Sequence, residues 1–152
     1  MRNKILFSKI KEVKSPQYSS DGAAGIDFFH PSEFDTIIAP GDAVLIPSGI
    51  KVNLPKDYSL IAFNKSGVAV KKELAVKACV IDSDYQGEIK VHLKNESREY
   101  QTICGNEKFI QFILMYTPQA YIIEVPTDQL YDVETNRGEG GFGSTDNIYT
   151  GC

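Results

Sequence analysis

Short runs of alternating polar and apolar residues, rich in β-branched side chains, recur along most of this chain. Pro, Gly, Asn and Asp separate the runs, at spacings close to the roughly 8–12 residues typical of all-β domains, and helical periodicity is nearly absent. One short helical turn is expected to begin near Ser66. The pattern predicts an all-β, jelly-roll-like barrel or sandwich. The predicted strands are Lys4–Ile10, Ala43–Val52, Tyr58–Phe63, Leu74–Ile81, Glu88–Lys94, Lys108–Leu114 and Ala120–Val125.

Length and charge limit the classes of function. A chain of 152 residues forms one domain, here a body over 1–134 followed by a Gly-rich arm over 135–152. The net charge of −4 argues against nucleic acid or a membrane surface as a partner bound through bulk electrostatics. No apolar stretch is long enough for a signal peptide or a membrane span. We therefore expect a soluble, cytoplasmic protein.

The cysteines and histidines do not suggest a metal centre. Three cysteines, an odd number, have no metal-ligand spacing, so reduced thiols in a cytosol-like compartment are expected. The two histidines lie far apart in sequence, which makes a His-based zinc site an unfavoured interpretation. The residues concerned are Cys79, Cys104, Cys152, His30 and His92.

The arm contains a run of glycines with one arginine, two hydroxyls and one aromatic ring, from Arg137 to Asp146. Glycines let backbone N–H groups approach a phosphate, Ser144 and Thr145 add donors, and Arg137 adds a charged fork. Phe142 has no neighbours to bury it and could cover a flat ligand such as a base. The alternative interpretation is a disordered Gly-rich tail.

The segment Ile81–Glu88 places carboxylates where an apolar strand ends. We expect a β-hairpin here, with Asp82 directly after the buried strand. A carboxylate in that position can hold a water molecule and take its proton as the water attacks an electrophile. Alternatively, Asp82 and Asp84 are ordinary turn residues and Tyr85 is an ordinary strand aromatic.

Three further segments carry polar side chains at the ends or centres of predicted strands. Asn64–Gly67 combines a cation, a hydroxyl and a glycine before the helical turn, an arrangement that presents N–H groups to phosphate, although it lacks Walker spacing. Asp27 follows a turn of small residues, and Gln111 is an amide flanked by apolar residues. Gln111 could donate to an oxygen or simply point outward from its strand.

Taken in order, the five segments resemble the motifs of the trimeric dUTPase family, whose members hydrolyse dUTP to dUMP and pyrophosphate. The resemblance covers nearly the whole chain, and its third and fifth motifs are the most specific. The matching segments are Ala24–Asp27, Lys65–Gly67, Ile81–Glu88, Lys108–Gln111 and Arg137–Thr145.

This resemblance implies a role for each candidate residue. Asp82 would deprotonate the water that attacks the α-phosphorus, and Tyr85 would stack under the deoxyribose and exclude a 2′-hydroxyl. Backbone groups near Cys79 and Val91 would read the uracil edge. Gln111 and Ser66 would contact the phosphates with Lys65 nearby, and Gly67 would also belong to the substrate-binding site. Asp27 would hold waters around Mg²⁺ bound mainly by the triphosphate.

The resemblance further implies a homotrimer with shared active sites, in which the arm closes as a lid. Phe142 would cover the uracil, and the γ-phosphate would be held by Arg137 with Ser144 and Thr145. Gly143 would also belong to the substrate-binding site. Two positions depart from the family pattern. Lys65 stands where arginine is usual, which loses the bidentate fork, and Asp146 stands where glycine is usual.

Two other functions remain open from the sequence. One is a dCTP deaminase-type nucleotide enzyme of the same fold, which would need a glutamate placed to activate water toward the pyrimidine ring; no matching motif is found. The other is a nucleotide-gated regulatory protein built on a dUTPase scaffold, with an unknown protein partner. The stretch Asn95–Tyr100 is interpreted as an exposed loop.

Overall fold

The computed structural model describes residues 3–31, 35–78 and 80–141. Within these ranges the chain is built mainly of short strands, with one short helix α1 (Ser66–Lys72) and one 3-10 turn (Thr127–Gln129). The all-β prediction is confirmed. The strands are β1 (Leu6–Lys9), β2 (Gln17–Tyr18), β3 (Ile26–Phe29), β4 (Thr36–Ile38), β5 (Ala43–Pro47), β6 (Ile50–Asn53), β7 (Tyr58–Phe63), β8 (Leu74–Ala78), β9 (Val80–Ile81), β10 (Lys90–Asn95), β11 (Gln101–Ile103) and β12 (Lys108–Tyr116).

The described strands form four antiparallel sheets in a sandwich-like arrangement rather than a closed barrel. The largest has the order β2-β3-β12-β7-β9, and a second has the order β5-β10-β8. Two small sheets pair β1 with β6 and β4 with β11. Inward-facing side chains of both larger sheets belong to one buried apolar cluster, which includes Phe28, Leu60 and Phe112 from the first and Ile46 and Leu93 from the second. This shared core fixes the two sheets that carry the candidate site residues.

Several strand predictions are confirmed in position but divided differently. The predicted run Ala43–Val52 is two strands, because Gly49 adopts a φ of +73° and turns the chain between β5 and β6. The run Leu74–Ile81 also divides, with β8 and β9 in different sheets. The central strand β12 extends two residues beyond its predicted end at Leu114.

One predicted strand is wrong, and one loop prediction needs correction. Ala120–Val125 forms no strand, and Tyr121 and Ile122 are 99% and 100% exposed. A strand needs a partner for its backbone groups, and no described strand pairs with this segment. The predicted exposed loop Asn95–Tyr100 begins one residue later, because Asn95 belongs to β10 and is fully buried. Its polar amide is satisfied in the interior, where it donates to the carbonyls of Ile38 (2.9 Å) and Glu99 (2.7 Å).

The chain divides into two compact units, Met1–Gln119 and Ala120–Cys152. The first holds the twelve strands found among the described residues, together with helix α1. The described part of the second consists of irregular chain, the 3-10 turn and tight turns near Thr135–Gly140. Among the described residues, no helix has the length and apolar character needed to cross a membrane.

Candidate active site

Asp27 and Gln111 lie directly opposite each other on neighbouring strands β3 and β12. Side chains at opposed positions of an antiparallel pair share one face of the sheet, with Cβ atoms about 4.5–5.5 Å apart. Gln111 also faces Phe63 at the end of β7, and its amide nitrogen donates to the carbonyl of Asn64 at 3.0 Å. The predicted first, second and fourth motifs therefore meet at one place.

A β-bulge on β12 adds Lys108 to this group. Lys108 pairs with Phe29 and Ile110 with Phe28, so Phe109 is an extra residue on β12. Without it, positions three apart would point to opposite faces of the sheet. With it, Lys108 and Gln111 share the face of Asp27, while Phe109 and Ile110 are both buried.

Asp27 is 2% exposed and is surrounded by donors. Lys65 Nζ lies 3.0 Å from Oδ1 and Lys108 Nζ 3.1 Å from Oδ2, and the Ser19 hydroxyl donates to Oδ2. Burial raises the pKa of the Asp27 carboxyl, but the hydrogen bonds from Ser19, Lys65 and Lys108 outweigh burial, so that this pKa lies below its ordinary value. Asp27 is therefore a buried carboxylate at neutral pH.

Lys65 is the residue that precedes helix α1. Its carbonyl accepts hydrogen bonds from the N–H groups of Val68 and Ala69, and no side chain caps the helix. Ser66 and Gly67 are exposed in the first turn. Uncapped first-turn N–H groups are left for solvent or a ligand. The side chain of Lys65 is 30% exposed, so its ammonium group reaches both Asp27 and solvent.

The expected hairpin at Asp82 is instead a loop between two sheets. The strand before it, β9, pairs with β7, whereas the strand after it, β10, pairs with β5 and β8. The hairpin prediction is wrong because the chain changes sheets at this point. Within the loop, the Tyr85 N–H donates to the Asp82 carbonyl at 3.2 Å, which closes a tight turn.

Asp82 and Tyr85 line one cleft of about 250 Å³. Asp82 is exposed, and Tyr85 is 42% exposed with its hydroxyl donating to the Glu88 carbonyl at 3.0 Å. Leu45 and Lys90 line the same cleft, together with Ala78, Val80 and Ile81. The loop thus holds a solvent-facing carboxylate beside an aromatic ring.

Val91 is buried in β10, with its side chain in the core. The adjacent ladder between β10 and β8 shifts register between His92 and Leu93, so Lys77 is an extra residue on β8. A bulge interrupts regular pairing and leaves backbone groups available near the cleft. Cys79, the other residue expected to read a base, lies outside the described residues.

Asp82 is well separated from the Asp27–Gln111 group within one chain. Ile81 faces Leu60 on β7, three residues before Phe63, which faces Gln111. Three residues of strand span about 10 Å, and β9 and β12 lie on opposite sides of β7. Within a single chain, Asp82 and the Asp27–Gln111 group therefore lie at two separate positions on the sheet.

In the second unit, Arg137 lies in a series of tight turns. Its Nε donates to the Gly140 carbonyl at 2.7 Å, and Gly138 has a φ of +48°. Glycine is favoured there because other residues adopt this conformation at a cost. The remaining arm residues named above, Phe142, Gly143, Ser144, Thr145 and Asp146, lie outside the described residues.

The described residues contain no cluster of three or more His, Cys, Asp or Glu side chains suited to a metal ion. Sequence reasoning missed Ser19 and Lys108 as neighbours of Asp27, and Lys90 as a cation in the Asp82 cleft. The clue for Lys108 was the adjacent pair of apolar residues, Phe109 and Ile110, which breaks the strand alternation.

Comparisons with known proteins show the family of the chain. The dUTPase family model matches residues 11–146. A deoxyuridine 5′-triphosphate nucleotidohydrolase from Finegoldia magna is 37% identical over 132 residues, covering 86% of this chain and 90% of the relative. One from Fusobacterium nucleatum is 35% identical over 146 residues, covering 93% and 97%.

Solved structures share the fold. A mutant dUTPase of Staphylococcus bacteriophage 80alpha with dUpNHpp superposes with a TM-score of 0.82 at 20% identity, covering 95% of this chain and 99% of that one. A mutant of the dUTPase from phage phi11 of S. aureus, which coordinates a structural Mg(II) ion, gives a TM-score of 0.77 at 17% identity, covering 86% and 100%.

Proposed function

The chain belongs to the dUTPase family, and from this premise we propose that it hydrolyses dUTP to dUMP and pyrophosphate at a site built from the residues described above. The function would limit uracil in DNA and supply dUMP. The main support for this proposal comes from the Asp82 loop. There the exposed Asp82 carboxylate and the ring of Tyr85, which is hydrogen-bonded to the Glu88 carbonyl, line one cleft.

Asp82 acts as the general base. Its carboxylate holds a water molecule and accepts its proton as the water oxygen bonds to the α-phosphorus and the bond to the pyrophosphate oxygen breaks. Tyr85 supports the deoxyribose and leaves no room for a 2′-hydroxyl. Backbone groups beside Val91 and Cys79 pair with the uracil edge, which rejects bases that leave those groups unpaired.

The Asp27–Gln111 group binds the triphosphate. Lys65 and the first-turn N–H groups at Ser66 and Gly67 supply positive charge and donors, and Gln111 supplies an amide. Asp27 keeps Lys65 and Lys108 at the site, since both ammonium groups lie within 3.1 Å of its carboxylate oxygens.

Magnesium enters with the substrate in this proposal. The described residues provide no multi-carboxylate cage, and Asp27 is buried between two lysines, so the fitting role for Asp27 is through water. Mg²⁺ suits this arrangement because it retains much of its hydration shell and takes oxygens from substrate phosphates. When bound, it would neutralise charge on the triphosphate.

We propose a homotrimer with shared sites. The separation between Asp82 and Gln111 along one sheet supports it, because one nucleotide would need the Asp82 loop of one copy and the phosphate-binding group of another. The arm over 135–152 then closes over the site, with Arg137, Ser144 and Thr145 on the γ-phosphate, Gly143 allowing close approach and Phe142 over the base. The expected location is the cytoplasm.

A pyrophosphate-release assay with dUTP, dCTP, dTTP and UTP tests the function. We expect turnover of dUTP with strong rejection of the other three. A dCTP deaminase would release ammonia from dCTP without pyrophosphate, and a regulatory binding protein would bind nucleotide without turnover. Comparable turnover of UTP and dUTP would contradict the proposed site.

A further inference from the structure

Gly87 lies against the ring of Tyr85 in the Asp82 loop. A Cβ atom placed on Gly87 would lie 2.9 Å from Cε2 of Tyr85 and closer still to Cζ and the hydroxyl oxygen. Real Cβ atoms do not approach other heavy atoms this closely, so a side chain at position 87 would displace the ring. The absence of a side chain at Gly87 thus provides the space that the ring occupies.

The backbone of Gly87 has no other need for glycine. The glycines with positive φ in the described part of the chain are Gly41, Gly49 and Gly138, and Gly87 is not among them. Alanine can therefore adopt the backbone conformation at position 87. The three heavy atoms nearest to its methyl group would all belong to the far end of the Tyr85 side chain, which can rotate toward solvent because it is 42% exposed.

A second contact holds the ring at the same, hydroxyl-bearing end. The Tyr85 hydroxyl donates to the carbonyl of Glu88 at 3.0 Å, which keeps the ring folded over the loop backbone. Glu88 is itself fixed, because its carboxylate accepts a hydrogen bond from the Gly49 N–H at 2.8 Å and pairs with Lys11 at 3.2 Å. Both contacts hold the hydroxyl end of the ring against the loop backbone at Gly87 and Glu88, and Tyr85 lines the cleft that contains Asp82.

We infer that Gly87 is a positioning residue that sets discrimination between deoxyribose and ribose nucleotides, by giving Tyr85 the space to lie flat as the wall of the sugar pocket. The inference rests on the proposed function and deepens it. A displaced ring would open the space beside the sugar, where a 2′-hydroxyl could enter. Asp82 remains in place, so hydrolysis continues with relaxed sugar specificity.

The central test is Gly87→Ala, with the ratio of kcat/KM for dUTP to that for UTP as the readout. We expect this ratio to fall about 10- to 100-fold, since a pocket that excludes a hydroxyl only by shape discriminates by about 10² at most. The matched control is Gly22→Ala, because a Cβ at Gly22 meets nothing within 4 Å and its φ is ordinary. Its ratio should equal that of the wild type. Thermal unfolding of both variants checks that they fold.

A double-mutant cycle separates action through Tyr85 from a general effect on the loop. In a Tyr85→Ala background the ring is gone, so Gly87→Ala should cause no further fall in the ratio. An equal fall in both backgrounds would overturn the inference, as would a Gly87→Ala ratio within about twofold of the wild type. Tyr85→Phe, which keeps the ring but loses the bond to Glu88, should give a smaller fall than Gly87→Ala.

A readout without activity keeps this inference distinct from the proposed function. NMR spectra with labelled tyrosine, assigned through Tyr85→Phe, should show the Tyr85 ring signals moving in Gly87→Ala and not in Gly22→Ala. Unmoved signals would refute the positioning role. A wild-type protein that releases no pyrophosphate from dUTP would instead refute the proposed function, while moved ring signals would still support the contact.

Discussion

The two candidate carboxylates, Asp82 and Asp27, lie in opposite environments. Asp82 is exposed at the mouth of a cleft, whereas Asp27 is buried and held by two lysines. A base needs access to water and substrate, and a buried carboxylate that already accepts three donors cannot easily take another proton. The two environments therefore support the different tasks proposed for these residues, proton transfer for Asp82 and organisation of the proposed phosphate-binding group for Asp27.

We predict that Asp82→Asn lowers kcat for dUTP about 10²–10⁴-fold while leaving the affinity for a non-hydrolysable dUTP analogue nearly unchanged, because the amide keeps the shape and loses the base. Steady-state kinetics and calorimetric titration measure the two quantities. Asp84→Asn, an exposed turn residue two positions away, is the control. A fall of less than about tenfold would assign Asp82 to the turn alone.

Asp27 should also contribute to stability in a pH-dependent way. Its pKa in the folded state lies below that of the unfolded chain, about 3.9, so its contribution is present above about pH 4 and is lost as pH falls through the folded pKa. Asp27→Asn should lower the free energy of unfolding by about 1.5–3 kcal/mol at pH 7. Urea unfolding from pH 7 to pH 3 should show the difference from wild type shrinking below pH 4.

The control for this measurement is Asp21→Asn, since Asp21 is exposed. Its effect should stay within about 0.5 kcal/mol at every pH. A constant difference between wild type and Asp27→Asn across the whole range would contradict the assigned pKa direction.

At the scale of strands and turns, the two β-bulges determine which side chains reach the site. The bulge at Phe109 brings Lys108 to the face of Asp27, and the bulge at Lys77 interrupts the ladder beside Val91. Bulges bend a strand and redirect its side chains, and they occur frequently next to active sites. The first bulge lies on β12, which carries Gln111, and the second lies on β8, which pairs with the strand that carries Val91.

The turn between β5 and β6 depends on Gly49. Its φ is +73°, and a Cβ there would lie 3.2 Å from Lys11 Cβ and Val13 Cγ1. We predict that Gly49→Ala destabilises the protein by more than the roughly 1–2 kcal/mol cost of the left-handed conformation, because the new methyl group also contacts the buried Val13. Urea unfolding measures the loss.

The matched comparison is Gly41→Ala, where φ is +77° and a Cβ would meet nothing within 4 Å. This variant should lose only the cost of the backbone conformation. Equal losses in the two variants would show that the contact with Val13 and Lys11 adds nothing.

At the scale of the whole molecule, the second unit exposes apolar side chains that a folded chain in water usually covers. Tyr121, Ile122 and Ile123 are 99%, 100% and 76% exposed, and Tyr131 and Val133 are 78% and 77% exposed. Contiguous exposed apolar residues indicate a surface that another molecule covers. This agrees with the proposal of a homotrimer, since a second copy is the partner that is always present.

We predict that two inactive variants restore activity when their subunits are exchanged. One is Asp82→Ala with an intact arm, and the other is truncated after Glu134 with Asp82 intact. If the two groups come from different copies, about a quarter of the sites in randomly reassembled trimers receive both. Pyrophosphate release from dUTP measures the recovery, and size-exclusion chromatography with light scattering establishes the oligomer.

Subunit exchange is verified with differently tagged variants captured on one affinity resin. A mixture that has exchanged and still has no activity would contradict sites shared in this way. If Asp82 and the arm came from one chain, no mixed site would ever be complete.

The features that the sequence by itself determined are those encoded over a few neighbouring residues. Alternation predicted β7 to the residue, and the succession of short alternating runs separated by turn residues predicted the all-β class. Asp82 and Tyr85 share one cleft because only two residues separate them. The Gly-rich arm was equally visible, since glycine content is a property of composition.

Only the tertiary structure decided what depends on which distant segments pair. The bulge that brings Lys108 to Asp27 and the change of sheet between β9 and β10 are set by packing in a common core. The alternation in Ala120–Val125 predicted a strand, yet a strand exists only where a partner accepts its backbone hydrogen bonds, and local sequence does not encode that partner.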